Sequence, residues 1–199
     1  MKNYWSQIAA FALLLAFTLG CSAINQIQKE VAKVQQPQVL TSADGRCQLT
    51  VPGNWREDKQ LNEKAIIQAS DRLSELYVLV MSNDKKDFAK SMTLDGLTKL
   101  LREDLSKNIS EAESSTPVPT TVNGYPAEQF EASGAVQGIK VKYVYTVVDA
   151  PQNYYQILSW TLTSRYDTNK DRLLEVINSF QEINNGTDAT APPPVKKAK

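Results

Sequence analysis

The stretch 139–148 alternates more regularly than any other part of the chain. Ile139, Val141, Tyr143, Tyr145 and Val147 fall on one side of an extended backbone. After Asp149-Ala150-Pro151 comes a second β-rich run, 154–163, its natural antiparallel partner. A hairpin of this length needs further strands and a covering layer, because an isolated one is only marginally stable in water. The rest of the chain supplies both. Strands are expected at 39–41 and 47–51 around the turn Ala43-Asp44-Gly45, and at 65–69 and 76–81. Pro52-Gly53-Asn54 breaks the second strand and delivers Trp55. Asn123-Gly124 marks a tight turn into 125–132, and Ser133-Gly134 opens the turn before the long hairpin. Residues 114–121, with Pro117 and Pro119, read as a loop or an edge strand.

Two helices complete the pattern. Thr93 is the expected N-cap of a helix whose apolar face is Leu94, Leu97, Leu100, Leu101 and Leu105. Thr168, with Asp171 three residues on, is expected to cap a second helix that buries Leu173, Leu174, Ile177 and Phe180. Sequential hairpins with one helix inserted and one appended imply an α+β fold, an antiparallel sheet covered by helices.

The amino terminus reads differently. One lysine, Lys2, precedes an uncharged stretch of about a dozen apolar residues ending at Thr18-Leu19-Gly20-Cys21. At about 1.5 Å per residue such a helix falls well short of the ~30 Å hydrocarbon core, so it reads as a signal-peptide hydrophobic region. Thr18-Leu19-Gly20-Cys21 resembles a lipobox, the site at which bacterial lipoprotein precursors are diacylated on cysteine and cleaved before it. Thr18 stands where Leu is commonest; Gly20 fits closely. Two or three acyl chains on one cysteine anchor stably, whereas one is marginal. Ser22, not Asp, follows, which in similar Gram-negative lipoproteins favours outer-membrane sorting. The expected organisation is a leader at 1–20, lipidated Cys21 and a polar tether over 21–38, one domain over 39–183 and a disordered tail over 184–199. Within the tether Ile24, Ile27, Val31 and Val34 recur at helical spacing; a spacer is preferred over a partner-binding helix.

Composition narrows the chemistry. Lys plus Arg (22) and Asp plus Glu (22) cancel and leave no basic face, which speaks against nucleic-acid binding. With no histidine, Ser–His–Asp and Cys–His machinery and histidine-ligated metals are excluded. With Cys21 committed to lipid, Cys47 is left alone and reads as a small buried residue on a strand. Asp84 with Asp87, Glu111 with Glu113, and Asp167 with Asp171 are the carboxylate pairs weighed for a cation; none has the spacing of an EF-hand loop, and no metal residue is assigned. Tyr143, Tyr145, Tyr154, Tyr155 and Trp160 lie on adjacent strands, read first as packing and second as a ligand face; Trp55 reads as a core anchor. The eight glycines form no phosphate-binding loop, and no catalytic residue or cofactor is assigned.

The run Gly45-Arg46-Cys47-Gln48-Leu49-Thr50-Val51-Pro52-Gly53-Asn54-Trp55 resembles the strand–Pro–Trp opening of the PsbP/DcrB-like superfamily. The Asn123-Gly124-Tyr125-Pro126-Ala127 turn, the long hairpin and a last helix ending in Ser179-Phe180 are similar too. The resemblance implies an α-β-α sandwich and non-enzymatic roles, either as lumenal accessory subunits of photosystem II or as envelope lipoproteins. The expectation is a membrane-anchored extracytoplasmic lipoprotein, on the periplasmic or lumenal side. It would act as an accessory domain for an unidentified protein partner, photosystem II in a photosynthetic host, with no turnover. The alternative is a small-ligand or metal carrier of the cell envelope using the tyrosine-bearing sheet face. A third reading, a hydrolase working through carboxylates alone, ranks last.

Overall fold

The structure is a computed structural model that describes residues 36–183. Cys21, the expected leader, most of the tether and the tail over 184–199 lie outside the described residues. Pro52–Asn54 form a turn ahead of Trp55. The body considered below is Gln38–Val51 together with Trp55 onward.

Its centre is an eight-stranded antiparallel sheet. The strands are β3 (Arg56–Glu57), β4 (Ile67–Asp71), β5 (Leu76–Asp84), β6 (Ser110–Ser114), β7 (Val118–Val122), β8 (Tyr125–Val136), β9 (Ile139–Asp149) and β10 (Asn153–Leu162). Their spatial order is β3-β4-β5-β10-β9-β8-β6, with β7 pairing the first half of β8. A small antiparallel sheet is made of β1 (Gln38–Thr41), β2 (Cys47–Val51) and β11 (Gln181–Glu182). Helix α1 (Leu94–Asn108) packs on β6, β8 and β9, and helix α2 (Tyr166–Asn178) on β10, β2, β5 and β9.

The expected hairpin is the spine. β9 and β10 pair over nine residues, from Tyr154 with Asp149 to Leu162 with Val141. Because successive side chains alternate, the sheet buries both faces. One core joins Val144, Val148, Tyr155 and Ile157 to α2, Trp55 and the small sheet. The other joins Val141, Tyr143, Tyr145, Val147 and Tyr154 to α1. A helix on each face of an antiparallel sheet is the expected α-β-α sandwich.

Two local expectations need correction. The turn before β9 is Gln137-Gly138, both at positive φ (51° and 80°), not Ser133-Gly134. Gly134 stays inside β8, where a Cβ would lie 2.3 Å from Ile109 Cγ2, so the missing side chain makes room for the chain leaving α1. Helix α2 starts at Tyr166, before Thr168, and Arg165 at its N-cap makes no side-chain cap bond. The 3-10 turn Thr163–Arg165 feeds directly into it, and the Tyr166 N–H donates to the Thr163 carbonyl. Burial of the Tyr166 ring makes that earlier start favourable. Residues 114–121, expected as a loop or an edge strand, hold the end of β6, a loop over 115–117 and β7, which pairs with β8 on one side. Thr93 does cap α1, its Oγ1 accepting from the Gly96 N–H at 3.1 Å.

Candidate functional site

The aromatic strands were the first place to look for a ligand face, and packing fills it. Phe130 stacks on Tyr145 with centroids 4.9 Å apart, and Trp160 stacks on Tyr77 at 5.2 Å and tilts against Tyr143 at 5.7 Å. Tyr154 and Tyr155 lie on opposite faces, as alternation requires. Tyr143, Tyr145, Tyr154 and Tyr155 are all buried. Their hydroxyls are committed where they can be: Tyr145 donates to Gln156 Oε1 (2.5 Å), Tyr155 to Glu182 Oε1 (3.0 Å) and Tyr154 to the Met92 carbonyl (3.3 Å). Burial pushes the Tyr145 and Tyr155 phenols far above their ordinary range, so neither offers a proton near neutrality. Trp55 is fully buried as a core anchor.

The carboxylate pairs do not converge. Asp84 caps the 3-10 turn Lys85–Asp87 by accepting from the Lys86 N–H and pairs with Lys86 Nζ at 2.7 Å. Glu111 pairs with Lys140 at 3.5 Å, and Asp167 sits in the first turn of α2, where exposed N–H groups favour a negative charge. Among the described residues no three acidic or cysteine side chains come together as metal ligands would. Cys47 is buried on β2, and burial pushes its thiol up to about 11, so it is an inert core residue.

Two polar constellations were not anticipated. On the α2 face, Glu131 of β8 accepts from Lys142 (2.8 Å) and Lys170 (2.7 Å), and Lys142 lies 4.2 Å from the centre of the Tyr166 ring. The Tyr166 hydroxyl points at the same carboxylate without good hydrogen-bond geometry. Burial alone would raise the Glu131 carboxyl, but the two ammonium groups outweigh it and hold it down at about 2. A cleft of about 290 Å³ opens beside it, lined by Ser114, Ser115, Glu131, Ser133 and Lys142. The sequence signal was there: Glu131 and Lys142 are charges on strand positions whose neighbours Ala127, Val144 and Val148 are buried on that face.

The second constellation ties the small sheet to the large one. Arg46 donates from Nε to Asp44 Oδ2 (2.7 Å) and from Nη1 to Asn153 Oδ1 (3.5 Å), while Asn153 Nδ2 donates to Glu182 Oε1 (3.4 Å). Burial works against the Asp44 carboxylate, yet bonds from Ser42 and Arg46 hold it at about 2. Nothing in the sequence linked residues so far apart. Nearby, Thr41, Asp44, Glu57, Lys59, Glu63 and Gln68 line a cleft of about 510 Å³. In both constellations positive and negative groups satisfy each other, an arrangement that fixes the fold.

No family model matches the chain, and no curated protein matches it in sequence. Solved structures do match. The solution structure of cyanobacterial PsbP (CyanoP) from Synechocystis sp. PCC 6803 is similar at a TM-score of 0.58 with 15% identity, covering 75% of this chain and 94% of that one. The crystal structure of LpqN, involved in cell envelope biogenesis of Mycobacterium tuberculosis, is similar at 0.55 with 15% identity, covering 74% of this chain and 90% of that one. A Bacteroides thetaiotaomicron protein is similar at 0.54 with 10% identity, covering 76% of this chain and half of its own (50%). At these identities the likeness is one of fold, and it agrees with the antiparallel sheet and its two covering helices: the described domain has a PsbP-like α+β fold.

Proposed function

We propose that this chain is a lipid-anchored, extracytoplasmic accessory protein whose domain binds a protein partner and performs no turnover. The observation that carries this reading is the lipobox-like Thr18-Leu19-Gly20-Cys21 placed ahead of a domain with a PsbP-like fold. Two of the similar structures add to it by their own settings, one a cyanobacterial PsbP and the other a protein of mycobacterial envelope biogenesis. Among the described residues no helix is long and apolar enough to cross a membrane, and in this reading Cys21 carries the anchor. In a photosynthetic host the partner is photosystem II. Mass spectrometry of the processed chain tests the anchor: a diacylated amino-terminal cysteine is expected. An unmodified thiol, or a Cys21→Ala chain that stays with the membrane fraction, overturns the reading. Cross-linking on isolated membranes followed by pull-down tests the partner, and the absence of any reproducible cross-link removes it.

A carrier role is the second reading. Its support is the acid-lined cleft of about 510 Å³, a volume within the range of small-molecule sites. A ligand that binds only the folded form raises the melting temperature, so thermal shift against divalent cations and amines separates the readings. The accessory reading expects no shift with any of them.

A further inference from the structure

Strand register places two turns at the same end of the large sheet. Tyr77 and Tyr143 flank Trp160 on either side, so the start of β5, the end of β10 and the start of β9 lie together. The β4–β5 turn, residues 72–75, and the β8–β9 turn, Gln137-Gly138, therefore project in one direction. They stand about three strand spacings apart, ~14 Å. At their tips Leu73 is 95% exposed, Ile139 56% and Val136 42%. A turn in water ordinarily carries Gly, Asn, Asp or Ser. At the opposite end the β7–β8 turn is Asn123-Gly124, the β9–β10 turn holds Pro151 and Gln152, and β5 runs into Lys85–Asp87. None of the large exposed apolar side chains among the described residues lies in those turns, so the two ends differ in kind.

We propose that this end of the domain is a lipid-contact surface, with Leu73, Val136 and Ile139 dipping into the headgroup layer of the membrane that holds Cys21. The proposal rests on the anchor reading above. Three observations select a bilayer over a protein as the occupant. The tips are isolated aliphatic prongs, and the domain's large aromatic rings, which would centre a protein interface, are packed against one another. Long cationic side chains surround the prongs: Arg72, Lys140, Lys107 at the end of α1 and Arg165 beyond β10. The exposed Lys140 stem is placed to lie along acyl chains with its charged head among phosphates, whereas the Arg72 guanidinium is held by Asp58.

The third observation is where the tether joins. Gln38 donates from Nε2 to the Trp55 carbonyl at 2.6 Å, and the next residue, Arg56, pairs with Ser70, at the base of the β4–β5 turn. Sixteen tether residues, 22–37, span at most about 55 Å, so the anchored domain stays within reach of its own bilayer and is joined to the tether at the prong end.

The Leu73 prong is held stiffly. Arg72 donates from Nε and Nη2 to the two oxygens of Asp58, each at 2.9 Å, and Ser70 Oγ donates to the same carboxylate at 2.7 Å. The charge at this end is close to balanced, since Glu75, Glu111, Asp58 and Asp167 accompany the four cations. Contact is therefore driven by apolar insertion and local concentration, and high salt does not abolish it.

The test uses the full lipidated chain in vesicles of phosphatidylcholine and phosphatidylglycerol. An environment-sensitive fluorophore is attached at Leu73→Cys, at Ile139→Cys or, as the control at the opposite end, at Lys86→Cys; buried Cys47 does not compete for label. Emission at 73 and 139 should shift to the blue and be quenched by brominated lipid about twofold more than at 86, in low and high salt alike. If the protein floats with the vesicles but 73 and 139 behave like 86, the surface is wrong and the anchor stands. If the shift needs added membrane protein, the surface docks on protein and the proposal fails. A chain that does not float fails at the anchor and takes the surface with it. Unchanged melting of Leu73→Ser and Ile139→Ser confirms that labelled sites are outside the core.

Discussion

The two faces of the large sheet are closed in different ways. Beneath α2, the fully buried side chains are Leu173, Ile177 and Phe180, with Val176 nearly so, and they meet Trp55, Leu49 and Val78 under the lid of the small sheet. Beneath α1, the helix leans on Phe130, Tyr143, Tyr145 and Tyr154: Leu97 and Leu105 are buried, Leu94 and Leu101 half-buried, and Leu100, expected inside, is 51% exposed. Both cores hold buried rings, with Trp55, Tyr155, Tyr166 and Phe180 on the α2 face, so the faces differ in cover and not in filling. The face with two covering layers is where stability concentrates, and the face with one is where neighbours can relax at lower cost.

Four substitutions put numbers on this contrast. Phe180→Ala empties a site on the α2 face, where Tyr155 lies 4.8 Å away, and should cost about 3–5 kcal/mol in urea unfolding. Leu97→Ala on the α1 face, with its neighbours half-exposed and able to relax, should cost about 2–3 kcal/mol. Equal losses at the two positions would break the comparison.

Gly134→Ala asks how tightly the α1 side is closed where the helix leaves it. The new methyl meets Ile109 Cγ2 at 2.3 Å and the Ser110 carbonyl oxygen at 2.9 Å, so a loss of about 1–2 kcal/mol is expected. Adding Ile109→Ala should recover part of it, and additivity of the two changes would mean the contact is not the cause.

Glu131→Gln gives the smallest effect, and it depends on pH. The folded carboxyl is held at about 2 against an ordinary 4.5, so its ion pairs stabilise fully above about pH 4.5 and are lost as pH falls towards 2. With Glu131 and Lys170 31% and 44% exposed, solvent screening leaves about 0.5–1 kcal/mol. Acid titration of melting should show wild type and variant converging below pH 4.5; a constant gap down to pH 2 would remove the electrostatic account.

The elements that were legible carry their own periodicity. The 139–163 hairpin, helix α1 and the last helix each repeat at a spacing that one backbone conformation satisfies, and each formed, with α2 starting earlier than its expected cap and Leu100 left exposed. The misreadings fell where a neighbour decided. Ser133-Gly134 has the composition of a turn, yet Gly134 is used for close approach by Ile109 while Gln137-Gly138 supplies the positive φ angles. Thr168 has the chemistry of a cap, yet burial of Tyr166 starts α2 earlier. Of the candidate site, the tyrosines were correctly assigned to adjacent strands and opposite faces. The Glu131–Lys142–Lys170 cluster was missed because its members are brought together from two strands and a helix.

What the sequence by itself determined is local: where strands and helices form, which residues alternate into the sheet faces, and, by excluding histidine chemistry, which mechanisms are closed to this chain. Tertiary structure alone decided that Arg46, Asn153 and Glu182 share one network, that no three acidic or cysteine side chains among the described residues come together, and that Leu73 and Ile139 emerge at the same end of the sheet. Periodicity reports the conformation of neighbouring residues, whereas those juxtapositions depend on strand order and register, which no short stretch of chain encodes.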